Sequence, residues 1–380
     1  MRFLALEKGF AREDEENIFQ TVMVSIILPT YNEALNVRLI IPELKKVLDR
    51  AGIRGEILVV DDNSPDGTAE IAATFSDACL VSVHVRKEER GLSKAVIEGF
   101  CLAKGEICVV MDADLSHPVE AIPSMIQPII EDRCDVTVGT RYVAGGGSEN
   151  WSWSRRFISR AAGLLAKGLT SLSDPTSGFM AVRRSVLDGV KLNPLGWKIV
   201  LETVVKAKPR VIEVPIVFAD RKQGKSKLGL RSQVDYIHHL WHLYCYRYPT
   251  LEQFAKFCLV GFSGLFVDTA VLIALVHWVL LDPRAAAVFA FTAAVSWNYA
   301  FNRRWSFRLP KSPRLFTSYV LFCLVCVIGL GIRVGVMHLL MEYAGMGKRP
   351  WYVLASFTGI ALVTLFNFLG SKHVAFSNRP

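Results

Sequence analysis

The stretch VSIILPTYNE at residues 24–33 shows how the first two-thirds of the chain is built. Its first half is a short β-branched run that predicts a buried strand, and its second half is a polar cluster where that strand ends. The pattern recurs in ILVVDDNSPDGT at 57–68 and in ICVVMDADLSHP at 107–118. Further strands are predicted at 80–85 and 135–138, and helices over 32–49, 67–75, 92–103 and from 119 onward. This alternation predicts an α/β fold with a doubly wound, mostly parallel sheet.

The polar clusters at the strand ends should lie together, because ligands of such sheets bind at the carboxyl ends of the strands. Asp112 and Asp114 can hold a divalent cation against a diphosphate, since Mg²⁺ usually binds through one or two carboxylates plus substrate phosphates. The pair alone is not diagnostic, because about one D-x-D arises by chance in a chain of this length. Asp61 and Asp62 belong to a helix-capping turn, and a carboxylate there can also accept hydrogen bonds from a base or ribose.

The charge balance favours anionic partners. The 380 residues carry a formal net charge of +9, and a basic chain attracts nucleic acid, anionic lipid or phosphate-bearing substrates. The long apolar segments argue against nucleic acid. Arginine binds phosphate through its planar fork, and the basic stretch RKQGKSK at 221–227 suits either phosphate or an anionic lipid surface. The candidate phosphate-binding cations are Arg141, Arg155, Arg156, Arg160, Arg221, Lys222, Lys225 and Lys227.

The last third of the chain is predicted to be a membrane domain at 251–380. Each of its apolar segments reaches the ~20 residues that a membrane helix needs; they lie at about 254–281, 285–305, 315–341 and 351–376. No long internal repeat is evident, although the four segments can pair as two hairpins. The basic loop at 303–314 predicts a cytoplasmic side. The charged first 20 residues lack the apolar core of a signal peptide, so the first domain, at 1–231, is also expected in the cytoplasm.

Two further features concern the membrane. The segment 232–250 is rich in aromatics and histidines, which favours a helix at the membrane interface, with a histidine metal cluster as the alternative. Asp268 and Arg333 fall inside the apolar segments, where ionisable groups are costly and usually paired or functional. We expect them to pair across the first and third spans, unless Arg333 extends to the outer headgroups.

Several motifs jointly resemble those of family 2 glycosyltransferases, and most closely the dolichyl-phosphate mannose synthases. They are PTYNE at 29–33, DDNSPDGT at 61–68, DADLSHP at 112–118, GTRY at 139–142, DPTSGF at 174–179 and RKQGKSKL at 221–228. The last third resembles the GtrA-like four-helix membrane domain often fused to such enzymes, through Phe257, Val260, Gly261, Gly264 and the run NYAFNRRWSF at 298–307. The resemblance implies a GT-A-type fold in the first domain and four membrane helices in the second.

The resemblance also implies a role for each matching position. The nucleoside would be held by Pro29, Tyr31, Glu33, Val60 and Asp62. The metal, Mg²⁺ or Mn²⁺, and the diphosphate would be held by Asp112 and Asp114, with Ala113 lining the site and Ser116 as a further metal ligand. Family members differ at the position of Ser116, where some carry Gln. The donor and acceptor phosphates would be gathered by Arg141, Arg155, Ser159, Arg221 and Lys227. Catalysis would depend on Asp112, Asp114, Arg141 and Arg221.

The implied reaction is the inverting transfer of mannose from GDP-mannose to dolichyl or another polyprenyl phosphate, at the cytoplasmic face of a lipid bilayer. A phosphate monoester has a second pKa of about 6 and is largely dianionic at neutral pH, so no general base is predicted. Catalysis would come from positioning and charge. The alternatives are a UDP-sugar:polyprenyl-phosphate transferase, a flippase or transporter of lipid-linked sugar, and an inactive binding module, against which the intact carboxylates and arginines argue.

Overall fold

The computed structural model describes residues 19, 22–76, 80–87, 90–149, 151–196, 198–219, 230–309, 315–344 and 351–377. These residues divide into two compact units. The first unit ends at Arg247 and holds a β-sheet with helices on its faces. The second unit begins at Tyr248 and is helical throughout its described part.

The first unit is built on a seven-stranded sheet. Its strands are β1 Val24–Thr30, β2 Gly55–Asp61, β3 Val81–Val85, β4 Ile107–Val110, β5 Val136–Thr140, β7 Met180–Arg183 and β8 Val211–Pro215, in the order β3-β2-β1-β4-β7-β5-β8. Strands β1, β2, β3 and β4 pair in parallel, as do β5 and β8. Strand β7 is antiparallel to both β4 and β5. Two short strands, β6 Gly147–Ser148 and β9 Val217–Phe218, pair in parallel as a separate sheet. The expectation of an α/β fold with a mostly parallel sheet is confirmed, and β7 is the antiparallel exception.

Helices cover both faces of the sheet. They are α1 Ala34–Arg50, α2 Thr68–Ala73, α3 Leu92–Leu102, α4 Ile122–Ile130, α5 Trp153–Ala166, α6 Ile199–Ala207 and α7 Leu230–Arg247. On β1, Ile26 and Leu28 enter the core beneath α1, while Ile27 enters the opposite core beneath α3. A strand buried on both faces reads as an unbroken apolar run. Helix α3 approaches β1 so closely that a Cβ at Gly99 would lie 2.5 Å from Cγ2 of Ile27.

The topology brings five loops to one edge of the sheet. Strands β1, β2 and β4 are parallel neighbours, so the residues that follow them, 31–33, 62–64 and 111–114, lie at the same edge. Strand β5 runs in the same direction as β4, because β7 is antiparallel to both. Arg141, which follows β5, and residues 174–179, which precede β7, therefore lie at this edge too. Below we call it the carboxyl edge.

Helices α5 and α7 pack against each other through two tyrosine hydrogen bonds and a small apolar core. The Tyr236 hydroxyl donates to the Ala162 carbonyl, and the Tyr244 hydroxyl donates to the Leu165 carbonyl, both at 2.8 Å. Large apolar side chains remain exposed on both helices: Trp153, Phe157, Ile158, Leu164 and Leu165 on α5, and Val234, Ile237 and Trp241 on α7. Helix α7 covers most of the segment expected to lie at a membrane interface. On it, Nε2 of His238 and Nε2 of His242 lie 3.2 Å apart.

The second unit consists of long apolar helices. They are α8 Pro249–His277, α9 Pro283–Phe301, α10 Leu315–Tyr343 and α11 Trp351–Gly370, and short π-helical turns extend α9 at Asn302–Ser306 and α11 at Ser371–Ala375. By length and composition, Pro249–His277, Leu315–Tyr343 and Leu354–Ala375 can cross a membrane. Helix α9 is not among them, because Arg284, Ser296 and Asn298 dilute its apolar residues. All four segments were expected to be apolar enough to cross a membrane, and three of them are.

The four helices form two hairpins, α8 with α9 and α10 with α11, as the sequence allowed. Both hairpins use the same close contact: a Cβ at Gly264 would lie 2.3 Å from Oδ1 of Asn298, and one at Gly329 would lie 2.2 Å from Oδ1 of Asn367. Each asparagine stands four residues before its π-helical turn. A two-helix unit therefore occurs twice, although the sequence does not read as a long repeat.

The expected ion pair between Asp268 and Arg333 is wrong for the described residues. Asp268 lies four residues after Gly264, and Arg333 lies four residues after Gly329, so the two occupy equivalent positions in different hairpins. Neither forms an ion pair in the described part of the chain. Arg333 instead packs within its own hairpin, where a Cβ at Gly359 would lie 3.4 Å from its Cγ.

Candidate active site

The end of β2 is organised by Asp61, whose carboxylate is fully buried. It accepts hydrogen bonds from the Thr30 hydroxyl at 2.8 Å, the Ser64 hydroxyl at 2.6 Å and the Ser64 amide at 2.7 Å. Because Thr30 is the last residue of β1 and Ser64 lies in the loop after β2, Asp61 joins the ends of the two strands. Its role in the structure is that of a turn-forming carboxylate.

Asp62 is also occupied by protein groups. One of its oxygens is paired with the buried guanidinium of Arg86, and the other accepts the Gly91 amide at 2.7 Å. Nearby, the Tyr31 hydroxyl accepts from NH1 of Arg90 at 2.6 Å, and Cζ of Arg90 lies 4.5 Å from the Tyr31 ring centroid. The two arginines were not recognised in the sequence, because they follow β3 and their partners lie far away along the chain.

The other residues expected to hold a nucleoside lie at the same corner. Pro29 and Val60 are cross-strand partners in β1 and β2, and both are buried. Glu33 begins the turn into α1; its carboxylate accepts from Nδ2 of Asn36 at 2.6 Å, and its amide donates to the Thr68 hydroxyl at 3.0 Å. The five expected nucleoside residues are thus clustered at the ends of two adjacent strands. Their binding of a nucleoside stays a prediction.

The two carboxylates that follow β4 differ in burial. Asp112 is half-buried, whereas Asp114 is buried and accepts from the Ser116 amide at 3.1 Å and the Ser116 hydroxyl at 2.5 Å. The backbone of Asp112 is held by His117, whose Nδ1 accepts the Asp112 amide at 3.1 Å. Since Nδ1 accepts, the neutral ring carries its proton on Nε2. The His117 ring stacks on the Phe179 ring with a centroid distance of 5.1 Å. His117 therefore links the D-x-D turn to the segment that precedes β7.

The surroundings of Asp112 and Asp114 fit a divalent cation held partly by substrate. No group of three or more His, Cys, Asp or Glu side chains converges among the described residues, so the protein alone offers no complete ligand set there. Two carboxylates plus phosphate oxygens are the usual Mg²⁺ arrangement. Space beside Asp112 is kept open by Gly178, since a Cβ there would lie 3.5 Å from Oδ2 of Asp112. The Ser116 hydroxyl is engaged by Asp114.

Arg141 forms a buried two-pronged ion pair with Asp174. Its Nε donates to Oδ2 at 2.6 Å and its NH2 donates to Oδ1 at 2.7 Å, while NH2 also donates to the Thr176 hydroxyl at 2.9 Å. The NH1 nitrogen has no hydrogen-bond partner among the described residues. The Tyr142 hydroxyl donates to Ser159 at 2.8 Å, which ties the start of this loop to α5. Arg141 is thus fixed on one side and retains donors on the other.

Two pKa shifts reflect the electrostatics of this region. Burial raises the pKa of Asp174, but the hydrogen bonds and charge of Arg141 outweigh burial and hold that pKa below its usual range. Burial and the Arg141 cation lower the pKa of Lys198 to about 7, against the opposing influence of Asp174 and Asp112. The Lys198 ammonium donates to the Thr176 carbonyl at 2.8 Å. It therefore lies within electrostatic range of both the D-x-D turn and the Arg141 pair.

The remaining expected phosphate ligands are only partly described. Arg155 and Ser159 lie on α5, three and seven residues after Ser152, whose hydroxyl caps the helix by accepting the Arg155 amide at 3.3 Å. Arg221 and Lys227 lie outside the described residues. Three residues of this region were not recognised in the sequence: Asp174 as the partner of Arg141, Lys198 and Trp151. The motif at 174–179 was the available signal for the first.

Comparison with known proteins matches both parts of the chain to protein families. The glycosyl transferase family 2 model matches residues 25–190, and the GtrA/DPMS transmembrane domain model matches residues 256–376. The dolichol-phosphate mannosyltransferase of Pyrococcus furiosus is 36% identical over 363 residues, covering 93% of this chain and 99% of the relative. That of Saccharomyces cerevisiae is 37% identical over 240 residues, covering 60% and 89%.

Among solved structures, the mannosyl-3-phosphoglycerate synthase of Rubrobacter xylanophilus is similar with a TM-score of 0.49 at 21% identity, covering 63% of this chain and 79% of that one. The two dolichol-phosphate mannosyltransferases are matched over most of their length. Together with the two family models, they establish that this chain is a family 2 glycosyltransferase with a GtrA/DPMS transmembrane domain and belongs to the dolichol-phosphate mannosyltransferase family.

Proposed function

We propose that the protein transfers mannose from GDP-mannose to dolichyl or another polyprenyl phosphate, with inversion at the anomeric carbon, and releases GDP. The observation that carries the proposal is the carboxyl edge itself. There, the Asp112 and Asp114 carboxylates follow β4 and the Arg141 guanidinium follows β5, the two strands that flank β7. The buried Lys198 lies within electrostatic range of Asp112 and Arg141. The names of the relatives support the mannose and the lipid phosphate.

On the donor side, the nucleoside would occupy the corner between β1 and β2, against Pro29, Tyr31, Glu33, Val60 and Asp62. Tyr31 supports this role, because it combines a half-buried ring with an arginine on its face. The Arg86 pair and the Gly91 amide hold Asp62 in one orientation, as is required of a carboxylate that must accept a hydrogen bond from a ribose or base. Pre-oriented groups of this kind avoid the entropy cost of ordering on binding.

Asp112 and Asp114 would hold a divalent cation, Mg²⁺ or Mn²⁺, against the donor diphosphate, with Ala113 lining the site and Ser116 orienting Asp114. When bound, the cation would neutralise charge on the leaving diphosphate. The contribution of the chain itself is orientation: His117 fixes the Asp112 backbone, and the Ser116 hydroxyl fixes one oxygen of Asp114. Gly178 leaves room beside the first carboxylate.

On the acceptor side, Arg141, Arg155, Ser159 and Arg221 would bind the lipid phosphate, while Lys227 would bind the donor. The NH1 donors of Arg141 remain available while Asp174 holds the rest of its guanidinium. A phosphate oxygen would attack the anomeric carbon of mannose as the GDP oxygen leaves from the opposite face. A dianionic phosphate needs no proton removed, so the protein would act by alignment and charge.

The acceptor also explains why the enzyme is membrane-bound. A polyprenyl chain stays in the bilayer, so its phosphate has to be met at the bilayer surface. The exposed Trp153, Phe157 and Trp241 on α5 and α7 suit contact with that surface. We assign the active site to the cytoplasmic face because the basic loop at 303–314 follows the positive-inside rule.

The test is sugar transfer by the full-length protein in detergent. Labelled GDP-mannose, UDP-glucose and UDP-galactose are each offered with a short polyprenyl phosphate, with and without Mg²⁺ or Mn²⁺. We expect metal-dependent transfer from GDP-mannose, lost in Asp114→Asn and retained in Asp49→Asn, whose carboxylate pairs with Lys45 on the exposed face of α1. Transfer from a UDP-sugar would replace the donor and keep the reaction class. Absence of transfer from all three donors would refute the proposal.

A further inference from the structure

Trp151 contacts both arginines to which the proposed function assigns the acceptor phosphate. Its ring centroid lies 4.7 Å from Cζ of Arg141 and 4.2 Å from Cζ of Arg155. The residue is 8% exposed and meets the edge of the Phe218 ring at a centroid distance of 5.5 Å. One buried aromatic ring therefore lies against two guanidinium groups that come from different elements, the loop after β5 and helix α5.

Such an arrangement needs a physical reason, because two guanidinium cations close together repel each other. Asp174 neutralises Arg141 through a two-pronged pair. The face of an indole attracts a cation that lies within ~6 Å of its centroid. Trp151 offers this attraction to both cations, so it offsets part of their repulsion and limits the orientations that each guanidinium plane adopts.

We propose that Trp151 is a positioning residue for the acceptor phosphate: its ring holds Arg141 and Arg155 at the separation at which both donate to a single phosphate group. The inference rests on the proposed function, since it takes the two arginines to be acceptor ligands. It deepens that function, because an uncharged residue, Trp151, then determines how the two arginines of the phosphate site are arranged. Lipid phosphate and inorganic phosphate present the same chemistry to this pair.

The contribution of Trp151 is the ring face rather than a hydrogen bond. Its Nε1 is buried and has no hydrogen-bond partner in the described part of the chain, although buried indole N–H groups usually find one. Phenylalanine at this position would lose that N–H while keeping an aromatic face for both cations. Leucine would keep apolar bulk and lose the face. The two substitutions therefore separate cation–π positioning from packing.

The experiment uses full-length protein in detergent and compares Trp151→Leu, Trp151→Phe and Trp278→Leu. The last is the matched control, since Trp278 is 84% exposed and follows α8 in the second unit. Initial rates give the KM for polyprenyl phosphate and the KM for GDP-mannose separately. A second readout that needs no sugar transfer is the rise in melting temperature caused by inorganic phosphate, which reports binding to the folded state.

We expect Trp151→Leu to raise the KM for the acceptor roughly ten-fold, within the range that two cation–π contacts supply, with the donor KM unchanged. Its phosphate-induced stabilisation should fall, while Trp151→Phe and Trp278→Leu stay close to the unsubstituted protein. An unchanged acceptor KM in Trp151→Leu, an equal rise in the donor KM, or a Trp151→Phe as impaired as Trp151→Leu would overturn the inference. If the unsubstituted protein transfers no sugar, the proposed function fails, and the phosphate readout still decides whether Trp151 positions the two arginines.

Discussion

The substitution Asp174→Asn tests the electrostatic frame of the site. Asp174 is fully buried and Arg141 is 8% exposed at the side chain, and their two hydrogen bonds measure 2.6 and 2.7 Å. An amide in place of the carboxylate directs N–H donors at a guanidinium and leaves its charge uncompensated beside Lys198. Removing one partner of a buried ion pair costs about 3–5 kcal/mol. We expect Asp174→Asn to lower the free energy of unfolding by an amount in the lower half of that range, because the Asn oxygen still accepts one hydrogen bond.

The surface pair Asp135–Arg210 provides the matched control. Its two hydrogen bonds, at 2.9 and 3.1 Å, have similar geometry, but the side chains are 21% and 55% exposed. Asp135→Asn should therefore cost less than ~1 kcal/mol. The free energy of opening is read from native-state amide hydrogen exchange of full-length protein in detergent, at the backbone amides of β5 and β7. If Asp174→Asn lowers it by no more than Asp135→Asn does, the buried pair is not the support that we describe.

Three further outcomes are expected. Gly264→Ala should destabilise the second unit by about 1–3 kcal/mol through overpacking against Asn298, while Gly261→Ala, with no atom within 4 Å of its Cβ, should not; equal melting temperatures would contradict this. Burial lowers the pKa of Lys198 to about 7 in the folded state, from its ordinary 10.5. Between these two pH values the unfolded chain binds one proton more than the folded chain, so the contribution of Lys198 to the free energy of unfolding rises with pH across that window. In Lys198→Met, the free energy of unfolding measured with urea should therefore lose this rise between pH 7 and pH 9. Chelation of divalent cations should abolish transfer, and added Mg²⁺ or Mn²⁺ should restore it; transfer that persists in chelator would exclude the metal role of the D-x-D turn.

The carboxyl edge could be predicted from sequence because its signals are local. Strands β1, β2 and β4 are buried on both faces, so each is a continuous apolar run in the sequence. Each is followed directly by a cluster of polar residues, which shows where the strand ends. Asp112 and Asp114 follow directly. Strand β7 could not be predicted in this way, because its four residues become a strand only through antiparallel pairing with β4 and β5.

The partners of the expected site residues depend on contacts over long sequence separations. Asp174 meets Arg141 across 33 positions, and Arg86 meets Asp62 across 24. Lys198 becomes an active-site neighbour only because α6 packs beneath the loop that carries Thr176. Periodicity and composition contain no record of such pairs. The motif resemblance drew attention to residues 174–179, without saying which charge they neutralise.

The membrane unit shows the same division. Length and hydropathy identified the apolar segments, but α9 was predicted to be more apolar than it is. Its polar Asn298 packs against Gly264 of α8. The repeated glycine–asparagine contact escaped the search for a repeat, because only a few positions recur while most of the apolar surface varies freely. The expected Asp268–Arg333 pair failed for a related reason, since equivalent positions in separate hairpins need not face each other.

The most direct test of the central claim compares two acceptors that differ only in the phosphate. Full-length protein in detergent receives labelled GDP-mannose, Mg²⁺ and either a short polyprenyl phosphate or the free polyprenol, and the labelled lipid is measured over time. We predict transfer to the polyprenyl phosphate alone, because the proposed acceptor ligands among the described residues are the Arg141 and Arg155 guanidinium groups and the Ser159 hydroxyl, none of which can deprotonate an alcohol. Equal labelling of the free polyprenol, or no labelling of either lipid, would contradict the account.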